Sequence, residues 1–389
     1  MEKIKGLFKN NLRQYAMLLA LVVIMALFQF LTNGILLKPQ NVTNLILQNS
    51  YVIILAIGMV LCILTGGNID LSVGSVVAIV GAITGTLIVT MKVNMVLAIV
   101  VGLLVGLVIG IWQGFWIAYV RIPAFIVTLA GMLLFRGLTL IVLQGKTISP
   151  FPKSFLTISG GFVKDFLGNN PKFNVTTIGV AVIISLIYLV LEVKKRASKK
   201  KYGFDVLPVP FFIVQIVVIL FVLNLFGYWL ATYKGIPIVL VILAVLIIGY
   251  SFITTKTTLG RHIYAIGGNE KAAKLSGVNT NKVLFLAYVN MGVLAAVTGI
   301  VFTSRLMAAT PTAGNNFELD AIAACFIGGA SATGGVGTVV GAIIGALVMG
   351  VLNNGMSILG VGSDVQMAIK GCVLLAAVAF DIISKNKAR

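Results

Sequence analysis

Gly66-Gly67-Asn68-Ile69-Asp70-Leu71-Ser72-Val73-Gly74-Ser75 is a polar, glycine-broken interruption between two apolar runs. A carboxylate and a flexible backbone are costly in hydrocarbon, so whatever encloses this stretch must offer it hydrogen-bond partners. The surrounding composition makes the bilayer the natural solvent. Of the 389 residues 59% are hydrophobic and 10% charged, and the mean hydropathy is +1.09, which leaves too little polar surface to cover a water-soluble globule.

Apolar runs of about 17–25 residues, long enough to span hydrocarbon, recur along the chain. They predict twelve membrane helices near 15–37, 50–66, 73–91, 95–120, 123–143, 174–193, 208–230, 236–253, 283–304, 319–332, 337–357 and 366–384. The expected fold is an all-α polytopic bundle forming one transmembrane domain over residues 1–389. The first run follows basic residues but is long and lacks a small-residue cleavage site, so it reads as a retained helix. Segment 319–332 is short and glycine-rich and reads as a broken or re-entrant piece sheltered by its neighbours.

Lys and Arg in short loops favour the cytoplasmic side. The basic groups Lys3, Lys5, Lys9 and Arg13; Lys194, Lys195, Arg196, Lys199, Lys200 and Lys201; Lys256, Arg261, Lys271, Lys274 and Lys282; and Lys385, Lys387 and Arg389 all fall on one side of a twelve-span bundle. That side is expected to be cytoplasmic, with both termini on it and the loop from Gln144 to Phe173 opposite. The net charge of +19 then marks topology and attraction to anionic headgroups of the lipid bilayer rather than nucleic acid.

Cys62, Cys325 and Cys372 sit singly in apolar runs and read as core side chains, without disulfide or metal spacing. The single histidine, His262, has no partner pattern for a zinc site or a nucleophile triad. Neither a Walker loop nor a GxGxxG after a strand is present. An enzyme is therefore not expected, and nucleotide energy would have to come from another chain.

The run Gly66-Gly67 followed by Val73-Gly74-Ser75-Val76-Val77 has an echo in Gly328-Gly329 followed by Val336-Gly337-Thr338-Val339-Val340. Either a parallel internal repeat or glycine and valine abundance accounts for it. Gly102, Gly106 and Gly110, and Gly337, Gly341 and Gly345, have the spacing of helix-packing seams. Asp70 has two readings, with Asn68 and Ser72 sharing its hydrogen bonding: a cap for the helix starting near Val73, or a group lining a pathway. Arg136 needs a partner inside its span, and Arg305, Glu318 and Asp320 are expected as a cluster near the outer surface.

The cytoplasmic loop 254–282 contains a short run of helix formers, Glu270 to Leu275. Gly268 and Asn269 open it, Glu270 suits its first turn and Gly277 stops it. It reads either as a lever for a soluble motor or as an amphipathic connector on the lipid surface.

The pattern Glu270, Ala272, Ala273, Gly277 resembles the EAA-type coupling loop of permeases in ATP-binding-cassette (ABC) importers. With GGNIDLSVGS, YAIGGNEKAAKLSGV and FIGGASATGGVGTVVGAIIGALVMGVLNNGM, the chain from Asn41 to Asp381 is similar to the monosaccharide branch, the ribose, xylose, galactoside and multiple-sugar permeases. It departs from shorter ribose-type permeases in a basic loop and extra helix pair over 192–252, beyond a ten-helix core. In length it is closer to the xylose and multiple-sugar permeases.

The resemblance implies a multi-pass permease in the bacterial cytoplasmic membrane, paired with a second copy and fed by an extracytoplasmic sugar-binding protein. Separate ABC ATPase subunits would hold ATP and Mg, and this chain would bind no cofactor and do no catalysis. Gly268, Asn269, Glu270, Ala272, Ala273 and Gly277 would couple it to the ATPases. A low-affinity path near Asn68, Asp70, Ser72, Asn353 and Asn354 would suffice for the sugar, although Asn353 and Asn354 serve equally as interhelical hydrogen-bond partners. The rival readings are a branched-chain amino-acid permease and an ion-coupled secondary transporter.

Overall fold

The computed structural model describes residues 12–168, 170, 173–204 and 206–386. Lys3, Lys5 and Lys9 of the N-terminal basic group, Lys172, and Lys387 and Arg389 of the tail lie outside these residues. The chain forms α1 (Leu12–Leu31), α2 (Pro39–Leu64), α3 (Val73–Gly85, prolonged by a π-helical turn Thr86–Thr90), α4 (Met95–Ala118), α5 (Ala124–Leu143) and α6 (Lys153–Gly160). There follow α7 (Val175–Lys201), α8 (Val209–Ala231), α9 (Ile238–Lys256), α10 (Thr258–Gly268), α11 (Glu270–Leu275) and α12 (Thr280–Leu306). The last three are α13 (Phe317–Ile327), α14 (Val339–Ile358) and α15 (Ser363–Asn386).

The helix starts follow local chemistry. The side chains of Asn94, Asn174, Asn279 and Thr338 accept backbone N–H bonds at the first turns of α4, α7, α12 and α14, and Pro39 opens α2 where its missing N–H costs nothing. Among the described residues, ten helices are long and apolar enough to cross a membrane. The two other expected crossings fall on α1 and α13. With 11 residues, α13 extends only about 16 Å, roughly half of a bilayer core. The expected span 319–332 is therefore a half-helix, and the loop before it, which folds back to bring Gly314 against Gly74, covers the other half.

Consecutive helices run in opposite directions, so the last turns of α7 and α9 share one end of the bundle with α10, α11 and the start of α12. This basic end carries Lys194 to Lys201, Lys256, Arg261, Lys271 and Lys274. Contacts of Phe28 with Gly355 and of Ala332 with Asp381 fix the directions of α1 and α15 and bring both described chain ends to the basic end. The loop after α5 lies at the opposite end, where Ile148 bridges to Ala309.

The core is built on α2, whose residues from Val52 to Leu64 are all buried. Around it pack α12, α14, α13 and α9, while α12 also lies along α3 and α4. The small-residue seam of α4 meets α12 directly: a methyl at Gly106 would stand 2.4 Å from the Ala296 Cβ and 2.5 Å from the Gly292 carbonyl oxygen. Gly345 of α14 is pressed in the same way on the Ala324 carbonyl of α13. Without a hydrophobic drive between helices in lipid, such close packing is what holds them together.

Helices α7 and α8 form a hairpin tied by Asn224 Nδ2 donating to Ser185 Oγ at 2.9 Å, and apart from the basic last turns of α7 they expose many large apolar side chains. The peripheral pair is thus α7 with α8, whereas α9 packs on α2, α6 and α14. The helices of the expected extra segment 192–252 consequently have unlike surroundings. Cys62 and Cys325 are buried as expected, but Cys372 is exposed because α15 lies at the periphery.

Gly106→Val should lower the apparent stability in detergent by about 1–3 kcal/mol through overpacking. Gly137→Ala on α5, where an added methyl meets nothing within 4 Å, should leave the melting temperature unchanged or slightly raised. Equal melting temperatures for Gly106→Val and wild type would overturn the seam.

Candidate functional site

Three features divide the bundle interior: a backbone junction at the basic end, a buried polar break above it, and a cleft towards the opposite end. At the junction, the turn after α2, the turn after α13 and the end of α10 meet with little side chain between them. A methyl on Gly67 would stand 2.1 Å from the Ala332 carbonyl oxygen, and one on Gly267 would stand 1.8 Å from the Leu64 carbonyl oxygen and 2.3 Å from the Gly335 nitrogen. The freed backbone groups satisfy one another. Gly335 N–H donates to the Leu64 carbonyl at 3.1 Å, and the Tyr264 hydroxyl of α10 donates to the Gly337 carbonyl at 2.8 Å. Burial raises the Tyr264 pKa, so the hydroxyl keeps its proton and remains a donor. The two glycine segments of the sequence echo are therefore in direct contact.

The break between α2 and α3 lies deeper. Asp70 is buried, and its Oδ1 accepts from the Ser72 N–H at 2.8 Å and from Ser72 Oγ at 2.7 Å. Gln113 of α4 donates to Ser72 Oγ at 2.5 Å, and the Tyr288 hydroxyl of α12 donates to the Ile69 carbonyl at 3.3 Å. Gln113 is five residues from the end of α4 and Tyr288 eight from the start of α12, which puts the break roughly 8–12 Å inside the basic end. Ser72 makes no side-chain cap to α3; Asp70 instead holds the backbone ahead of the first turn, where a carboxylate also suits the helix dipole. Asn68 is not part of this group. Its Nδ2 points back to the Thr65 carbonyl at 3.3 Å.

The loop between α12 and α13 folds back into the bundle, and Gly314 meets Gly74 so closely that a methyl on Gly74 would stand 2.1 Å from the Gly314 carbonyl oxygen. Arg136 finds its partners there, donating from Nη1 to the carbonyls of Ala313 at 2.6 Å and Pro311 at 3.1 Å. This reentry also corrects the expected outer cluster of Arg305, Glu318 and Asp320. Because α13 begins below the surface, Asp320 is buried: the Tyr51 hydroxyl donates to its Oδ2 at 2.6 Å and Lys370 Nζ lies 3.0 Å from its Oδ1. Glu318 turns towards Gly74, and Arg305 Nη1 reaches the Gln48 carbonyl only at 3.5 Å.

Towards the opposite end, two recesses of about 230 and 210 Å³ share Tyr51, Gln366 and Lys370. Asn354 is engaged there in an amide exchange with Asn41, Nδ2 to Oδ1 at 2.8 and 3.2 Å, so it joins α14 to α2. Asn353 faces the second recess, and its Oδ1 has no hydrogen-bond partner. The five residues proposed for a path are thus distributed over three places rather than gathered in one.

At the basic end, α11 occupies the positions read as a short helix. The Asn269 side chain accepts from the Ala272 N–H at 3.0 Å, Ala273 is buried, and Gly277 leaves the helix at φ +85. Gly268 ends α10 in open space. Glu270 pairs with Arg121 Nη1 at 2.8 Å, and Arg121 also bonds Thr280 and Asn281. Arg121 stands in the α4–α5 turn at φ +66. A small cleft of about 160 Å³ beside this pair is lined by Thr65, Asn68, Arg121, Glu270, Thr280 and Leu284. Among the described residues, no group of three or more His, Cys, Asp and Glu could hold a metal ion.

Residues 41–378 match the family described as branched-chain amino acid transport system / permease component. The chain belongs to this family of transport permeases. It is 41% identical to the xylose transport system permease protein XylH of Haemophilus influenzae over 97% of this chain and 98% of that one. It is 38% identical to XylH of Escherichia coli K12, over 98% and 95%, and 35% identical to the ribose import permease protein RbsC of the same strain, over 96% and 95%. No solved structure matches. As a permease subunit of this family, the chain depends on separate subunits for ATP hydrolysis.

Gln113, Tyr51, Lys370 and Arg121 are the site residues of this permease that sequence reading missed. Arg121 carried a signal, a basic residue between two apolar spans and two before Pro123. Lys370 carried one too, a cation inside the expected span 366–384, whereas Gln113 and Tyr51 lie on long apolar helices with weaker local marks.

Gly267→Ala should cost about 1–3 kcal/mol of stability, because backbone rather than a movable side chain blocks the methyl. Its neighbour Gly268 is open, and Gly268→Ala should change the melting temperature little. Equal behaviour of the two variants would sink the junction as described.

Proposed function

We propose that this permease is the membrane pathway of an ATP-driven importer of a monosaccharide of the pentose class, received from an extracytoplasmic binding protein. The observation that carries the reading is the near full-length likeness to permeases named for xylose and for ribose, two five-carbon sugars. Its basic end faces the cytoplasm, in keeping with the distribution of Lys and Arg, and both termini lie on that side. It works as a homodimer with two ABC ATPases, which hold ATP and Mg. Residues 192–252 add a basic segment and helices to a ten-helix core.

In this mechanism the ATPases grip α11, through Gly268, Asn269, Glu270, Ala272, Ala273 and Gly277. Two observations support the grip. Leu275 is 90% exposed at the tip of the helix, an apolar side chain in search of a cover, and α11 continues from α10, whose Gly267 is wedged on both glycine turns. Movement of α11 would then displace the turns after α2 and α13 together and switch the bundle between its two openings. Asn68, Asp70 with Ser72, and Asn353 with Asn354 line or gate the path at three separate places. The family description, which names branched-chain amino acids, supports a second reading in which the cargo is an amino acid.

Purification of the tagged chain from its native membrane in mild detergent should recover an ABC ATPase and a sugar-binding protein. Recovery of an amino-acid-binding protein instead would favour the second reading. A chain recovered alone and active in uptake on an ion gradient would point to a secondary transporter and overturn both. Within the complex, Leu275→Asp should lower ATPase retention roughly tenfold, about 1.4 kcal/mol, and Gly277→Pro should abolish substrate-stimulated hydrolysis. Full docking and stimulated hydrolysis in both variants would refute the role of α11.

A further inference from the structure

The unpaired amides of the cleft towards the opposite end point to a ligand. Asn49 of α2 is 3% exposed and lines the second recess; its Nδ2 is fixed by donation to the Ala346 carbonyl at 2.7 Å, which leaves Oδ1 without a partner. Asn353 Oδ1, on α14 across the same recess, is likewise buried and unpaired. A buried acceptor left unsatisfied is costly, so two of them on residues that line one recess form an arrangement that a molecule rich in hydroxyl donors would relieve. Space for Asn49 comes from Gly350, where a methyl would stand 2.2 Å from the Asn49 Nδ2.

The charge on the wall is already balanced. Asp320 is neutralised by Lys370 and bonded by Tyr51, and the Tyr51 ring is stacked on Phe317 with centroids 3.8 Å apart. Asp320 and Lys370 therefore leave little net charge to attract an ion, while the amides and the Lys370 ammonium offer hydrogen bonds to neutral polar groups. Each recess is smaller than the roughly 300–1,000 Å³ of a drug-sized site and suits a single small ring. Arg305 is the one further cation lining the second recess, and its guanidinium lies towards the Gln48 carbonyl.

We infer that this cleft is a monosaccharide subsite of the pathway, in which Asn49 and Asn353 accept sugar hydroxyls and Gln366, Tyr51 and Lys370 border the ring. The inference rests on the sugar-permease reading and goes beyond it by assigning specificity-determining residues to this chain rather than leaving all selection to the binding protein.

The test uses the complete complex, this chain with its ATPases and binding protein, in proteoliposomes. D-xylose uptake and binding-protein-stimulated ATP hydrolysis are read side by side. Asn353→Leu should lower initial uptake about tenfold or more while stimulated hydrolysis stays within about twofold, because the hydroxyl it accepts is lost and the coupling path is untouched. Asn353→Gln, which keeps an amide acceptor, should restore at least about a third of the uptake. Gln366→Leu, at the half-exposed rim shared by both recesses, provides a second variant with little folding risk and should also reduce uptake more than hydrolysis. Uptake within about twofold of wild type in Asn353→Leu and Gln366→Leu overturns the subsite while leaving the sugar reading intact. A wild-type complex that carries leucine and no xylose overturns both.

Discussion

Everything inside this bundle depends on the close approach of backbone to backbone where Gly67 meets Ala332 and Gly267 meets Leu64 and Gly335. Two helices stop at this place, and each stop frees backbone carbonyl groups that need partners. The two interruptions solve the problem mutually. Gly335 N–H closes onto the Leu64 carbonyl, and the hydroxyls of Tyr264 and Tyr288 close onto the Gly337 and Ile69 carbonyls. Side chains larger than hydrogen would hold the strands apart and leave those groups exposed to lipid. The same contact makes α10 a structural neighbour of both turns.

Much of this was legible in the sequence, because the bilayer imposes simple rules. Span lengths, the end at which basic residues collect, the helix at Glu270 to Leu275 and the small-residue seam of α4 all follow from periodicity, charge and glycine spacing. The interruption at Gly66 to Ser75 was legible as a polar break, and Asp70 and Ser72 do bond each other within it. What could not be read was the company such residues keep. Asp320 and Lys370 are fifty positions apart and on different helices, and only the reentry of the loop before α13 buries the carboxylate. Arg305, Glu318 and Asp320 are close in sequence to a helix end, which suggested a surface cluster, but closeness to a helix end is not depth. Asn353 and Asn354 are adjacent and line one recess, yet Asn354 completes an amide pair with Asn41 while Asn353 Oδ1 has no partner, since neighbours on a helix point about 100° apart.

The distribution of polar groups has a common logic. Several buried charged groups lie where a helix begins or a loop re-enters, although Asp381, buried near the end of α15, and Lys370, within the same helix, do not. Asp70 precedes α3, Glu318 and Asp320 lie in the first turn of α13, and Arg136 is held by carbonyls of the re-entrant loop. At these places the free N–H groups and the dipole of a helix start favour negative charge, and free loop carbonyls accept from a cation. The broken helices thus provide places at which this chain holds ionisable groups inside the bundle, and the same breaks are the points at which regular helix hydrogen bonding stops.

That coincidence separates rigid from movable parts. The α4–α12 seam and the buried half of α2 from Val52 to Leu64 are closely packed and resist rearrangement, as close-packed interiors do. The Arg121–Glu270 pair is different. Both side chains are about half exposed, so the pair contributes little to stability, on the order of 0.2–1 kcal/mol, and is cheap to break. It joins the α4–α5 turn to the start of α11, beside a cleft that Asn68 also lines. It is therefore a contact of small energy between two helix termini, which rearrangement of either one would part at little cost.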